Sequence, residues 1–278
     1  MAEVGLSSPF GDEEVEDVFL PDAPLARVVA QIRYPRLSVL ATDDAGANAI
    51  AAALRDTYPL LNEAQEVSVT ITPEGVSQAP GGGRLWQLRS VDLDWQVSFG
   101  PEFVSLDTSA YTSRENFTAR LEAVLTCFAD KIAPPFAERI GVRYINRVEN
   151  ATVDELKELV RPEVLGGLAV PMHTVTMAHS LSEALYNLRP DILKGGAVMD
   201  GLQARWGVLP PGAVLDPTLP PVPTSSWVLD LDSFRVGKAD FAADAIAGEV
   251  RNLAERAYRY FRWVVTPTFL TRFGGNEA

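Results

Sequence analysis

The chain has 278 residues, of which 47% are hydrophobic and 22% charged, so it is long and apolar enough for one large globular domain or two small ones. Its 37 acidic and 24 basic residues give a net charge of −13, which argues against a general nucleic-acid-binding protein because such proteins need a basic surface. The single cysteine, Cys127, excludes a disulfide framework and a cysteine-based metal site.

The start of the chain is strongly acidic. Residues 1–26 hold seven acids and no base, and therefore carry more than half of the net charge. We expect residues 1–22 to be an acidic, partly disordered lead-in, with an acidic arm that docks on a basic partner as the alternative. The sequence shows neither a secretory signal nor a run of about 18 apolar residues. It therefore predicts a cytoplasmic protein that does not enter a membrane.

The first half of the predicted fold spans residues 23–135. Its glycine-rich run Gly81-Gly82-Gly83-Arg84 lacks the Gly-Lys-Ser/Thr ending of a phosphate-binding loop and is typical of a hairpin loop. The apolar spacing predicts a strand at 25–34, a helix at 45–61, strands at 66–73, 85–91, 94–99 and 103–109, a loop at 73–84, and a helix at 113–132.

The second half spans residues 136–278. Thr152 and Glu155 have the spacing of a capping box and place the start of a short helix. The pattern predicts strands at 136–148, near 173–188, 198–209 and 226–234, a helix at 152–165, an irregular segment with six prolines at 209–225, and a long helix at 239–264.

Two short matches suggest an internal repeat. Ile32-Arg33-Tyr34 matches Val142-Arg143-Tyr144, and Leu106-Asp107 matches Leu229-Asp230. We therefore predict an α+β protein, in which two tandem β-α-β-β-β(-β)-α halves form one long twisted antiparallel sheet with the helices packed on one face. This layout resembles the TATA-binding-protein and helix-grip folds, a likeness of architecture that carries no functional weight.

Strand alternation places charged side chains on the face opposite the core. The candidate binding residues on that face are Arg33, Arg139, Arg143, Arg147, Arg205, Asp107, Asp230 and Asp232. One interpretation is structural, with cross-strand ion pairs Arg33–Asp107 and Arg143–Asp230 that hold the register. The other is functional, with arginines that bind a carboxylate, a phosphate or the acidic residues of a partner in a concave pocket. The two interpretations are compatible, because aspartates can orient arginines that also bind a ligand.

Motifs for known chemistry are missing from the sequence. There is no nucleophile elbow and no His-Glu-x-x-His zinc motif, and the two histidines, His173 and His179, have only Glu183 as a nearby carboxylate of matching parity. Cys127 lies beside Phe128 in a predicted helix and is typical of core packing. We therefore predict no metal, no cofactor and no catalytic residue.

The segment Glu138-Arg139-Ile140-Gly141-Val142-Arg143-Tyr144-Ile145-Asn146-Arg147 is the most distinctive part of the chain. Together with Ala23-Pro24-Leu25, Leu229-Asp230-Leu231-Asp232 and the ending Phe261…Thr266-Pro267, it resembles a sporadically distributed bacterial protein family of unknown function. The resemblance covers nearly the whole chain and implies no catalytic residues. The patchy distribution of the family implies an accessory gene, such as a defence or toxin–antitoxin component.

The sequence favours a non-enzymatic binding or regulatory protein that uses the Arg/Asp face to hold a protein partner or a small anionic ligand. The alternative is an enzyme acting on a nucleotide or another phosphorylated substrate through Arg143, Arg147, Asp230 and Asp232, since paired carboxylates can perform acid–base work. A third hypothesis, an acidic mimic of nucleic acid, needs clustered acids, and here the acids beyond the first 26 residues are spread along the chain.

Overall fold

A computed structural model describes residues 6–11, 13–42, 44–72, 75–175, 177–190, 199–216 and 218–275. Within these ranges the strands are β1 (Leu25–Arg33), β2 (Leu60–Thr72), β3 (Gly75–Arg89), β4 (Trp95–Gly100), β5 (Phe103–Thr108), β6 (Ala137–Glu149), β7 (Ser180–Asn187), β8 (Asp200–Leu209) and β9 (Ser226–Ala239). They form one open antiparallel sheet in the order β2-β3-β4-β5-β1-β6-β9-β8-β7, as predicted for an α+β protein.

The strand order places β1 beside β6 at the middle of the sheet, with Val29 of β1 opposite Arg143 of β6. The strands that follow β1 in sequence extend the sheet on one side, and those that follow β6 extend it on the other. The first strand of each predicted half is therefore central, and β5 and β9 are their outer neighbours.

The α-helices in the described ranges are α1 (Ala45–Leu54), α2 (Arg114–Lys131), α3 (Val153–Leu159), α4 (Ala243–Val264) and α5 (Pro267–Arg272). The side chain of Ser113 accepts a hydrogen bond from Asn116 N and so caps α2. The predicted capping box of Thr152 and Glu155 is present at the start of α3. α4 packs on β6, β9 and α2, and α1 packs on α2.

The apolar face of the sheet forms the core with these helices. The face predicted for β1 is confirmed, because Val28, Ala30, Ile32 and Tyr34 are all buried. In one cluster these residues pack with α1, α2 and the first part of α4, and in a second cluster β8 and β9 pack with α3, α5 and the rest of α4. The helices therefore cover the apolar side, and the alternate side chains of the strands are left on the other face.

The predicted helix at 45–61 is too long, since α1 ends at Leu54. The chain turns there, with Thr57 and Tyr58 donating their backbone N–H groups to Leu54 O, and β2 begins at Leu60. Pro59 explains the early end, because it lacks an N–H and disfavours helical geometry in the residue before it.

The loop predicted at 73–84 is also wrong over most of its length. β3 begins at Gly75 and contains the Gly81–Arg84 run. Gln65 of β2 pairs with Arg84 and Val67 pairs with Pro80, so the three glycines lie opposite a single residue of the neighbouring strand. Glycines are typical of such a bulge because they tolerate the local change in register.

Candidate binding sites on the polar face of the sheet

The Arg/Asp face exists, and most of its charged side chains are ion-paired. The predicted pair of Arg143 with Asp230 is present: Arg143 Nε lies 2.7 Å from Asp230 Oδ1, and Arg143 Nη2 lies 2.9 Å from Asp230 Oδ2. Arg205 Nη2 reaches the same Oδ2 at 2.7 Å. Asp230, whose side chain is only 1% exposed, is therefore held between two guanidinium groups.

Arg143 has a second carboxylate partner that the sequence did not predict. Its Nη1 lies 2.6 Å from Asp216 Oδ2. Burial alone would lower the pKa of Arg143, but Asp230 and Asp216 together raise it above its usual value. Burial would likewise raise the pKa of Asp216, but Arg143 and the hydrogen bonds from Thr218 lower it below its usual value.

The other candidates in the second half are also engaged. Arg139 Nη2 lies 2.8 Å from Asp232 Oδ2, and the guanidinium stacks over Phe234 with its Cζ 4.9 Å from the ring centroid. Burial raises the pKa of Asp232 despite this arginine. Arg147 donates to Pro220 O at 2.7 Å and pairs with Glu149 at 3.0 Å.

The proline-rich segment covers this part of the face. Asp216 and Pro220 contact the sheet arginines, and Leu215 packs on Val228 of β9. Ile145 lies on the same face of β6 as Arg143 and is fully buried. The proline-rich segment therefore covers much of the surface predicted to be open around Arg143 and Asp230, and the side chains of Arg143 and Arg205 remain about one-fifth exposed.

The predicted pair Arg33–Asp107 is wrong. Asp107 lies opposite Val29 of β1, whereas Arg33 lies opposite Phe103, about 13 Å further along the strand. Arg33 is the last residue of β1 and instead contacts Glu102 at 3.5 Å. Its side chain is 49% exposed. Asp107 pairs with Arg27, with Nη1 and Oδ2 3.0 Å apart.

A polar pocket of about 370 Å³ lies around this pair. It is bounded by Arg27 of β1, Arg89 of β3, Gln96 of β4 and Asp107 of β5, and Asp94 adds a second carboxylate to its lining. Thr218 of the proline-rich segment lies at its border. Arg89 Nε donates to Gln96 Oε1 at 2.6 Å, and Gln96 Nε2 donates to Asp107 Oδ1 at 3.3 Å.

Asp107 is the perturbed acid of this pocket. Its side chain is only 10% exposed, and burial raises its pKa to about 6 although Arg27 and Gln96 act in the opposite direction. Arg27 Nε is buried and has no hydrogen-bond partner among the described residues. This atom is out of reach of a ligand, so the free donors that the pocket offers are the Nη atoms of Arg89, which have no partner among the described residues.

The structure brings together only some of the predicted residues. Arg139, Arg143, Arg205, Asp230 and Asp232 share the covered cluster. Arg147 lies at its margin, while Arg33 and Asp107 are separate from it and from each other.

Arg89 and Gln96, which line the pocket, were missed as site residues. The alternation of buried and polar residues along β3 and β4 could have identified them, because Arg89 and Gln96 occupy the strand positions next to the buried Leu88 and Val97. Asp216 had no such signal, since it lies in a segment with no repeating pattern.

No metal site is seen in the part of the chain that the structure describes, where no three His, Cys, Asp or Glu side chains converge. His173 and His179 are exposed and precede β7. Cys127 is half-buried on α2, and burial raises the pKa of its thiol.

The sequence was compared with models of known protein families and matches none of them. A search of curated proteins likewise finds no match. Among the described helices, none combines the length and apolar character needed to cross a bilayer.

Proposed function

We propose that the protein is a binding protein that holds a small anionic ligand in the polar pocket between Arg27, Arg89 and Asp107. The observation that carries the proposal is the state of Arg89. Its Nε donates to Gln96, and neither Nη atom has a partner among the described residues. A guanidinium with two free donors on one edge is suited to a carboxylate or phosphate group.

The pocket is a better candidate than the centre of the Arg/Asp face. Arg143 and Arg205 already donate to Asp230, and Arg139 donates to Asp232. A ligand at these positions would have to displace buried ion pairs and the proline-rich segment, at a cost in free energy that a small anion would not return. We therefore assign a structural role to this cluster and move the binding role to Arg89.

The size and polarity of the pocket favour a small molecule over a protein partner. About 370 Å³ lies within the usual range for small-molecule sites, whereas a stable protein interface needs a broad surface. Asp107 and the side-chain oxygen of Gln96 lie beside Arg89, so a ligand that carries both an anionic group and a hydrogen-bond donor would match the site best.

The alternative is an enzyme acting on a phosphorylated or nucleotide substrate. Asp230 does not fit this role, because it is buried and held by two arginines. Asp107 fits better, since a carboxyl with a pKa of about 6 can take or give a proton near neutral pH. This alternative therefore depends on the same pocket as the binding proposal.

The test compares the wild type with Arg89→Ala and with Arg36→Ala. Arg36 is an exposed arginine that contacts Glu102 and lies outside the pocket, so it is a matched control. Each protein is purified under native conditions, denatured, and analysed by mass spectrometry for released anions; binding of inorganic phosphate and of citrate is measured by calorimetry. We expect anion binding by the wild type and Arg36→Ala and at least a tenfold loss in Arg89→Ala.

Equal anion binding by Arg89→Ala and the wild type would refute the assignment, as would the absence of any anion in both assays. The enzyme alternative has its own readout. If an anion that is bound is phosphorylated, phosphorus NMR follows its conversion. Turnover by the wild type that is lost in Asp107→Asn would replace the binding proposal with the enzyme.

We also propose that the two halves of the sheet descend from one duplicated unit. The support is the strand order, in which β5-β1 on one side of the centre mirrors β9-β6 on the other, together with the Arg-Tyr and Leu-Asp matches in the sequence. The registers differ, since Asp107 lies opposite Val29 and Asp230 lies opposite Ile145, so the proposal rests on the order of the elements more than on these matches. We further propose a likeness to the TATA-binding-protein or helix-grip layout, membership of the sporadically distributed bacterial family and a cytoplasmic location, all from sequence patterns. An accessory role in defence or in a toxin–antitoxin system is proposed from the distribution of that family.

A further inference from the structure

A larger cavity of about 480 Å³ lies on the helix-covered face of the sheet, where β1 and β6 meet. Its walls come from β6, the start of α2 and the middle of α4, and its roof comes from residues 18–21 of the N-terminal segment. The polar pocket lies on the opposite face, and Ser109, just after β5, borders both. The cavity is therefore a separate site.

The floor of this cavity is polar where the rest of the core-facing row of β6 is apolar. Ile140, Val142 and Val148 in that row are buried in the core, but Tyr144 and Asn146 between them line the cavity. Asn146 is only 6% exposed. Its Nδ2 makes a long bond of 3.4 Å to a backbone carbonyl, and its Oδ1 accepts no hydrogen bond within the described ranges.

Two tyrosines complete the polar floor. The hydroxyls of Tyr111 and Tyr144 are 3.4 Å apart, and neither has another partner among the described residues. Burial raises the pKa of both tyrosines, so both are neutral at physiological pH. Buried polar groups are normally fully hydrogen-bonded, and here an amide oxygen and two hydroxyls retain capacity at the same surface.

The N-terminal segment forms a strap over the opening. Val18 N donates to Tyr258 Oη at 2.8 Å, and Tyr258 Oη in turn donates to Glu16 O at 3.1 Å. Arg262 also donates to Glu16 O, and Asp17 pairs with Arg114 at the cavity wall at 3.0 Å. Residues 16–21 belong to no helix or strand. Within the described residues, these bonds and side-chain packing hold them to the helices, and the bond from Asp22 N to Phe273 O anchors the chain just after them.

We propose that this cavity binds a small, uncharged, mostly apolar molecule that donates a hydrogen bond to Asn146, and that residues 16–21 open to admit it. The volume lies within the range of about 300–1,000 Å³ that suits such ligands. A charged ligand fits poorly, because the floor groups are neutral and the charge of Arg114 is already paired with Asp17. The inference is independent of the anion site.

The probe for the test is 1-aminoanthracene, a neutral aromatic amine that carries a hydrogen-bond donor and becomes more fluorescent in apolar surroundings. Fluorescence titrations compare the wild type with Ala257→Leu, which adds three carbon atoms at the cavity wall on α4. Ala53→Leu makes the same change at an exposed alanine of α1 and is the matched control. We expect binding by the wild type and Ala53→Leu, and at least a tenfold weaker affinity in Ala257→Leu.

A second variant keeps the test decisive if Ala257→Leu does not fold. Asn146→Leu preserves the size of the side chain and removes the acceptor, so we expect at least a threefold loss of affinity. The proposal is overturned if the wild type does not bind 1-aminoanthracene. It is also overturned if the folded variants at Ala257 and Asn146 bind the probe as tightly as Ala53→Leu does.

The strap has a kinetic test. Asp17→Asn weakens the exposed ion pair to Arg114 in the free and in the bound protein alike. In stopped-flow measurements we expect the association and dissociation rates of the probe to rise together, by up to about fivefold, with the equilibrium affinity unchanged. Unchanged rates would show that residues 16–21 do not control entry.

Discussion

The buried carboxylate of Asp230 gives the sharpest prediction about stability. In Asp230→Ala, Arg205 loses its one carboxylate partner within the described residues, and Arg143 keeps only Asp216. Both guanidinium groups are about four-fifths buried and are left partly unpaired. Removing one partner of a buried ion pair typically costs about 3–5 kcal/mol, and we expect a loss in that range.

Asp232→Ala is the matched comparison, because Asp232 lies two residues along the same strand and on the same face. Within the described residues the Asp232 side chain, which is 24% exposed, pairs with one arginine, Arg139. One guanidinium loses its carboxylate here where two do in Asp230→Ala, so we expect a smaller loss of about 1–2 kcal/mol. Urea denaturation followed by circular dichroism and by tryptophan fluorescence measures the free energy of unfolding for each variant, and coincident transitions test two-state behaviour.

The reasoning would be refuted if Asp230→Ala lost less than about 1 kcal/mol, or no more than Asp232→Ala. A variant without charges at this site separates burial from pairing. Replacing Asp230 by Leu together with Arg143→Met, Arg205→Met and Asp216→Asn removes all four charges, and the asparagine at position 216 can still accept the hydrogen bonds from Thr218. This variant should recover most of the loss, since apolar groups of similar volume often replace buried ion pairs without penalty.

Three further predictions concern single side chains. The pKa of Asp107 is about 6 in the folded state and about 3.9 in the unfolded state, so the folded state binds this proton more tightly. As pH rises from about 4 to 6, we expect the free energy of unfolding of the wild type to fall by up to about 1.4 kcal/mol per pH unit relative to Asp107→Asn. Urea denaturation at a series of pH values measures this difference, and parallel curves for the two proteins would contradict it. Thr152→Ala removes the cap of α3, and urea denaturation should show a free energy of unfolding about 1 kcal/mol lower than that of the wild type. An unchanged value would mean that the capping box does not stabilise the protein. Gly207→Ala should cost at least about 2 kcal/mol in the same assay, because Gly207 has a positive φ of 148° and an added Cβ would lie 1.9 Å from Ser180 O; a wild-type midpoint would show that β7 is not paired to β8 as described.

The sequence predicted the side of the sheet on which a residue lies more reliably than it predicted the residue's partner. Alternation alone placed Val28 and Ile32 in the core and Arg143 and Asp230 on the polar face. It could not fix the register of β1 against β5, because no turn joins these two strands and their register depends on packing across the whole sheet. The pairing of Arg33 was therefore wrong, although its face was right.

Local composition misled the prediction where two signals competed. Gly81–Arg84 has the composition of a loop, but long pairing between β2 and β3 keeps it in a strand as a bulge. The helical spacing of residues 45–61 continued past Leu54, but Pro59 ended the helix before the apolar pattern stopped. In both cases a backbone constraint decided the structure and side-chain periodicity did not.

The segments without periodicity decide where a ligand can bind. The proline-rich segment brings Asp216 to Arg143, covers part of the polar face and leaves open the pocket around Arg89. The acidic N-terminal segment limits access on the other face, where residues 16–21 lie over a cavity that the helices do not fill. Such contacts join residues far apart in sequence, and no local pattern encodes them. The regular elements therefore determine which chemical groups each face offers, and the two irregular segments determine which of those groups remain free to meet a ligand.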